Sequence, residues 1–140
     1  MKNWILYSLI SMFFAGVTSV IAKIGLKNVS SDTGVAVRTI FVFLIVWLNV
    51  FVFQSVKDFK NLTKMDIIYL GISGVTTSLS WIFYYKAIKI GNVSQVNLID
   101  KASILITIVL SFVILNEQIT WKTAVGGSLM LAGLLILTLK

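Results

Sequence analysis

Five apolar stretches of about 20 residues constrain this chain more than any other feature, because each matches the length of helix that crosses a hydrocarbon core of roughly 30 Å. They run from Trp4 to Ile24, Val35 to Phe53, Ile67 to Tyr85, Val93 to Leu115 and Trp121 to Leu139. Charges and helix breakers gather between them. Gly25 to Gly34 carries Lys27, Asn28 and Asp32, and Gln54 to Asp66 carries Lys57, Asp58, Lys60 and Lys64. Lys86 to Asn92 and Asn116 to Thr120 are short, so the helices they join are expected to pack antiparallel. No linker rich in Pro, Gly or Ser interrupts residues 1–140, and the expected organisation is one domain of five transmembrane helices, an all-α integral membrane protein.

Composition excludes most alternatives. With 58% hydrophobic residues, 12% charged residues and a mean hydropathy of +0.98, the chain is not a soluble globular domain, and a run such as Ile104 to Leu115 has almost no polar face to offer water. Cys, His and Pro each count 0, which rules out disulfides, Cys or His metal sites and any triad that needs an imidazole base. No acid, base and nucleophile converge in the pattern and no Walker A motif is present, so neither an enzyme, nor a catalytic residue, nor direct use of ATP is expected. No cofactor is implied. A net charge of +7 would suggest nucleic acid as a partner in a soluble protein; between apolar runs it points to anionic lipid headgroups instead. Lys2 before an apolar run has the outline of a signal peptide, but the run exceeds a signal core and four more follow, so its retention is expected.

Lipid offers no hydrogen bonds, so polar side chains within the spans should turn toward protein or water. At about 100° per residue, Asn97, Asp100, Ser103, Thr107 and Ser111 share one face of the fourth span. Ser73, Thr77, Ser80, Trp81 and Tyr84 share a face of the third, Ser8, Ser11, Thr18 and Ser19 one of the first, and Arg38 and Asn49 align with Gly34 on the second. Four inward stripes would line a polar cavity. Equally, Ser, Thr and Gly at helical spacing let membrane helices approach closely and bond to backbone. Arg38 and Asp100 stand apart, because a charge within a span costs about 2.5 to 3.5 kcal/mol on insertion scales. They lie at similar depth from one membrane face, where a mutual salt bridge would keep both charged. The pair serves either a substrate or proton site, with Thr77, Ser80, Trp81, Tyr84, Asn97, Ser103 and Thr107 around it, or helix register alone. Lys101 points about 100° from Asp100 and is expected to snorkel. Lys23, Lys86 and Lys89 read as interfacial anchors, and Trp81 and Tyr84 as either anchors or a stacking wall. In the fifth span Gly126 and Gly133 fall on one side, and a close helix contact there is either within the chain or with a second copy.

The order of these features resembles the EamA-type domain of the drug/metabolite transporter superfamily over nearly the whole chain. The resemblance is carried by Ala22-Lys23-Ile24-Gly25, Arg38-Thr39, Ser73-Gly74, Leu79-Ser80-Trp81, Tyr85-Lys86-Ala87-Ile88, Ile99-Asp100-Lys101-Ala102-Ser103, Leu115-Asn116-Glu117 and Gly126-Gly127 with Gly133. It departs from the family pattern in two places. The fourth helix lacks the Pro that many relatives have near Asp100, and Asn116 stands where Gly usually precedes Glu. Longer relatives carry two such five-helix domains in tandem, inverted with respect to each other, and are secondary transporters of small organic compounds.

The resemblance therefore implies a half-transporter bundle: a secondary active transporter, most simply an exporter, of a small organic metabolite, multi-pass in the cytoplasmic (inner or plasma) membrane. A lone domain lacks its inverted partner, so a homodimer is expected, in an antiparallel arrangement if the two copies insert in opposite senses, with Gly126 and Gly133 at the dimer contact. Loop lysines alone favour a cytoplasmic N-terminus, and counting the helix-end lysines removes that bias. The competing reading is a non-transporting accessory or structural subunit of a larger membrane complex.

Overall fold

The computed structural model describes residues 3–53 and 55–138; Lys2, Gln54, Leu139 and Lys140 of the sequence reading lie outside the described residues. The described structure is α1 (Asn3–Gly25), α2 (Ser31–Val52), a 3-10 segment (Ser55–Asn61), α3 (Lys64–Ile90), α4 (Val93–Lys101), α5 (Ser103–Leu115) and α6 (Trp121–Thr138), with no strand among the described residues. Four stretches are long and apolar enough to cross a membrane: α1, α2, α3 and the run Val93–Leu115. The fifth expected helix forms as α6, with a shorter described apolar stretch, Trp121–Ile136. Two compact units divide the chain, Met1–Ile90 and Gly91–Lys140.

Local chemistry explains the boundaries. Ser30 caps α2 by accepting from the Thr33 N–H at 3.1 Å. Thr63 and Asp66 cap α3 reciprocally: the Thr63 N–H donates to Asp66 Oδ2 at 2.9 Å and the Asp66 N–H donates to Thr63 Oγ1 at 3.2 Å. Thr120 accepts from the Thr123 N–H at 3.2 Å and starts α6. α3 runs five residues past the expected end at Tyr85, because nothing between Tyr85 and Gly91 breaks a helix and two lysines suit its negative C-terminal end. The expected continuous fourth span is stepped at Ala102. There the chain tightens to i−3 bonds, from the Ala102 N–H to the Ile99 carbonyl and from the Leu105 N–H to the Ala102 carbonyl, each 3.0 Å. α5 ends at Asn116, whose φ of 54° is left-handed, and the Glu117 N–H returns to the Ser111 carbonyl at 3.2 Å. That is a helix stop for which Gly is best suited and Asn next.

Nearly every large apolar side chain is exposed, as a chain dissolved in lipid requires, and the spanning helices bury almost none of their residues. What core exists lies in the first unit. Leu26, Tyr85 and Ile88 are buried with Ser19 where α1 ends, α2 begins and α3 closes. α2 lies chiefly along α3, and close approach is obligatory at Gly34, where a Cβ would overlap the Leu26 Cδ2 methyl and stand 3.5 Å from the Tyr85 ring. At the other end of α2, Phe59 of the 3-10 segment stacks on Trp47, with ring centroids 5.8 Å apart and planes 12° apart. In the second unit α6 approaches α5 at Gly127, where a Cβ would be 3.3 Å from Ile108 and 3.6 Å from Leu105.

The ends of α1 and α3 are tied by two lysines in opposite senses. The Lys23 ammonium donates to the carbonyls of Ile88 at 2.7 Å and Lys89 at 3.1 Å. Lys89 returns to the carbonyls of Leu26, of Val29 at 2.8 Å and of Lys27 at 3.4 Å. Lys23 thus caps the last turn of α3 and Lys89 holds the turn that follows α1, so that each cation sits at the negative end of the other helix. A hydrogen bond to a charged group contributes about 1.5–3 kcal/mol. Lys89→Met is therefore expected to lower the thermal midpoint of the detergent-purified protein well below that of Lys57→Met, whose side chain lies on the exposed 3-10 segment. Equal midpoints would show that water serves these carbonyls as well as lysine does.

Candidate functional site

The first unit places a cation against aromatic rings beside a cavity. Arg38 lies seven residues into α2 from Ser31, about 10 Å along the helix axis, and is half-buried. Its guanidinium carbon sits over the Trp81 ring, 4.0 Å from the centroid, and 5.8 Å from that of Tyr85. Trp81 and Tyr85 are four residues apart on α3 and so share the face that meets α2. Tyr85 is itself packed edge-on against Tyr84, with centroids 6.1 Å apart. Among the described residues of its unit Arg38 has no carboxylate in ion-pair reach and no hydrogen bond. The rings offer an attraction of about 0.5 to 2 kcal/mol, less than the roughly 2.5 to 3.5 kcal/mol that a charge at mid-membrane costs. The arrangement leaves Arg38 with its hydrogen-bonding capacity unspent.

Arg38 and Tyr85 border a half-open cavity of about 410 Å³ lined chiefly by the C-terminal half of α1 and the first turns of α2. Thr18, Ile21, Ala22 and Gly25 form one wall, Gly34 and Val37 another, and Leu26 and Val29 its end. The lining is apolar apart from Arg38, Thr18 and the tyrosine. Thr18 already donates to the Phe14 carbonyl at 2.7 Å, which leaves Arg38 as the strong polar handle. The volume falls within the range of about 300–1,000 Å³ usual for small-molecule sites.

The other expected site residues divide by reach. Tyr84 Oη donates to Ser19 Oγ at 2.8 Å, and Ser19 donates to the Ala15 carbonyl at 3.0 Å, so Tyr84 ties α3 to α1. Thr77 donates to the Ser73 carbonyl at 2.8 Å on the same helix, and Ser80 is exposed. In the second unit Asn97 donates to the Val93 carbonyl at 2.8 Å and Thr107 to the Ser103 carbonyl at 3.2 Å. Ser103 opens α5 directly after the step at Ala102. Asp100 is half-buried, and its carboxylate is met by the Lys101 ammonium at 3.5 Å rather than seeing that side chain turn away. The Trp81 ring carries the Arg38 guanidinium on its face. An added Cβ at Gly126 or Gly133 meets nothing within 4 Å, and the in-chain contact falls to Gly127.

Three functional features escape a reading of periodicity. Tyr85 falls outside the polar stripe that Trp81 and Tyr84 share, yet it is buried with its ring 5.8 Å from the Arg38 guanidinium carbon. Lys23 and Lys89 read as anchors, yet they cap helices. The available signal was positional: lysines in the last turns of two helices that end on the same face.

A helical chain with four membrane-crossing stretches and a charged, cavity-facing arginine defines a multi-pass membrane protein with room for a small molecule. Residues 2–139 match the EamA-like transporter family, and the chain belongs to that family. It is also similar to an uncharacterized transporter in the cobO 3' region of Sinorhizobium sp., 27% identical over 136 residues, which cover 97% of this chain and 96% of the relative. No solved structure matches. The family places the protein among transporters rather than enzymes.

The contact between Arg38 and Trp81 is measurable. Trp81→Leu and Arg38→Met are expected to show a coupling free energy of about 0.5 to 2 kcal/mol in a double-mutant cycle on unfolding, the size of a partly desolvated cation–π pair. Additive effects would mean the ring only fills space.

Proposed function

We propose that this protein is a secondary active transporter of a small organic solute, an exporter in the cytoplasmic membrane, with the cavity beside Arg38 as the solute cradle. Membership of the EamA-like transporter family over nearly the whole chain carries this reading. The half-buried guanidinium over Trp81 supports it, since a membrane helix keeps an unspent charge facing a cavity at a cost that scaffolding does not require. On this reading α6 completes a fifth span. Asp100, stationed at the step in the fourth span with Asn97, Ser103 and Thr107 on its own face, serves the solute or a coupling proton; in the first unit, Thr77 and Ser80 share a face of α3 with Trp81. A second copy of the chain, inserted in the opposite sense, forms the inverted pair between which such transport sites lie. Gly126 and Gly133 are the contact, a role supported by the open space beside both.

Reconstituted in proteoliposomes, the protein should move members of a metabolite panel under an ion gradient, and an ionophore should abolish the flux. Arg38→Gln and Asp100→Asn should each lower it at least about tenfold, the loss of roughly 1.4 kcal/mol. Normal flux in both variants at normal protein levels would reduce the two charges to scaffolding. Because the chain has 0 cysteines, Gly126→Cys and Gly133→Cys give clean crosslinking probes. Crosslinked dimers are expected from both, and a monomer that transports at full rate would reject the dimer.

A further inference from the structure

We infer that the cavity of the first unit takes a solute of one chemical class: an organic monoanion with an apolar body, its oxyanion on Arg38 and its body against Ile21, Leu26, Val29 and Val37. This names the substrate class of the cradle and rests on the transporter reading above. Three observations exclude the other classes. A cation finds no carboxylate on the cavity wall, whose titratable side chains are Arg38 and Tyr85, and it meets the guanidinium at close range. A sugar or other polyol needs many hydrogen-bonding partners, whereas the donor of Thr18 is committed to the Phe14 carbonyl, which leaves that hydroxyl only to accept, and most of the remaining lining is aliphatic. A neutral apolar compound fits the wall but leaves the arginine donors unmet.

An anion satisfies both halves of the site. A guanidinium is a planar fork of five N–H donors that matches carboxylate, phosphate or sulfonate geometry in two bonds at once. The Trp81 and Tyr85 rings hold the cation through their π-faces and accept none of those bonds in the usual sense, so they orient the fork without consuming it. In the second unit Asp100 has a cation of its own in Lys101 at 3.5 Å. The apolar body then removes aliphatic wall from water or loose lipid contact. Gly34 makes room: its missing Cβ lets Leu26 lie flat at the end of the cavity, where a side chain at 34 would push the leucine aside.

The same chemistry describes a free organic acid and an anionic lipid headgroup with its chain, and the test separates them. The full-length protein is placed in nanodiscs of phosphatidylcholine and titrated with phenylbutyrate, phenylbutyramide and phenylbutylamine, which share one apolar body. Phenylbutyrate should bind saturably and raise the thermal midpoint, and the amide and amine should bind at least about tenfold more weakly, as expected for loss of a charge-assisted bidentate contact. Arg38→Gln should abolish the preference for the acid. Arg38→Lys, which keeps the charge and loses the fork, should retain part of it, and it carries the test if the glutamine variant does not fold. Equal binding of acid and amide, tighter binding of the amine, or no saturable binding of the acid would each overturn the assignment. Loss of phenylbutyrate binding when phosphatidylglycerol is added would give the site to membrane lipid and overturn the solute. Flux assays in proteoliposomes separate the two readings. Acid binding without flux would sink the transporter and leave the anion site standing, and flux of the amide or amine independent of Arg38 would sink the anion class and leave the transporter standing.

Discussion

The exchange of lysines between the ends of α1 and α3 is the contact on which the first unit depends. In water, burying apolar side chains would hold three such helices together. In lipid the surroundings are as apolar as leucine, and association rests on close packing and on polar contacts that lipid cannot replace. Among the described residues the buried set in this unit is four, Ser19, Leu26, Tyr85 and Ile88, and it lies where Lys23 and Lys89 cross. The carbonyls at the two C-termini are the groups with most to lose, since the helix has no further full turn to satisfy them. Supplying each from the other helix fixes the relative height of α1 and α3 as well as their separation.

That fixed height has a consequence for the cavity. Lys23 is one residue from Ala22 and two from Ile21, both on the wall, and Leu26, whose carbonyl Lys89 holds, closes the end. Tyr85 lies one turn before Lys89 on α3 and carries one ring of the pair around Arg38. The lysine exchange and the arginine site are therefore successive layers of one helix packing. A change in the first would reposition the wall of the second without touching its charge.

Much of the architecture was legible in the sequence. Apolar length marks the four stretches long enough to cross the membrane, because the hydrocarbon core sets helix length with little help from tertiary context. Arg38, Trp81 and their shared neighbourhood were legible from cost and periodicity. What escaped depended on direction and on partner. Periodicity puts Trp81 and Tyr84 on the polar stripe of α3, yet Tyr85, one step away, shares the ring pair with Trp81, because a helix face spans about 100° and neighbouring turns overlap. The step at Ala102 carries no Pro or Gly to announce it. Asp100 and Lys101 diverge by about 100° as Cβ vectors, but a side chain with four rotatable bonds turns back across that angle to its neighbour.

Reach, more than polarity, decides which residues of a span can act on a neighbour. Ser8, Thr18, Thr39, Thr77, Thr107 and Ser128 all donate to the carbonyl four residues back on their own helix. Helix axes pack about 8–10 Å apart, farther than a hydroxyl one bond from Cβ can bridge unless a partner extends toward it. Ser19 meets α3 because Tyr84 supplies the length. Lys23, Arg38 and Lys89 cross the gap unaided. A stripe of small hydroxyls in a membrane helix therefore marks a face that closes on itself, and the long polar side chains among it mark where the fold commits energy to holding two helices or a ligand.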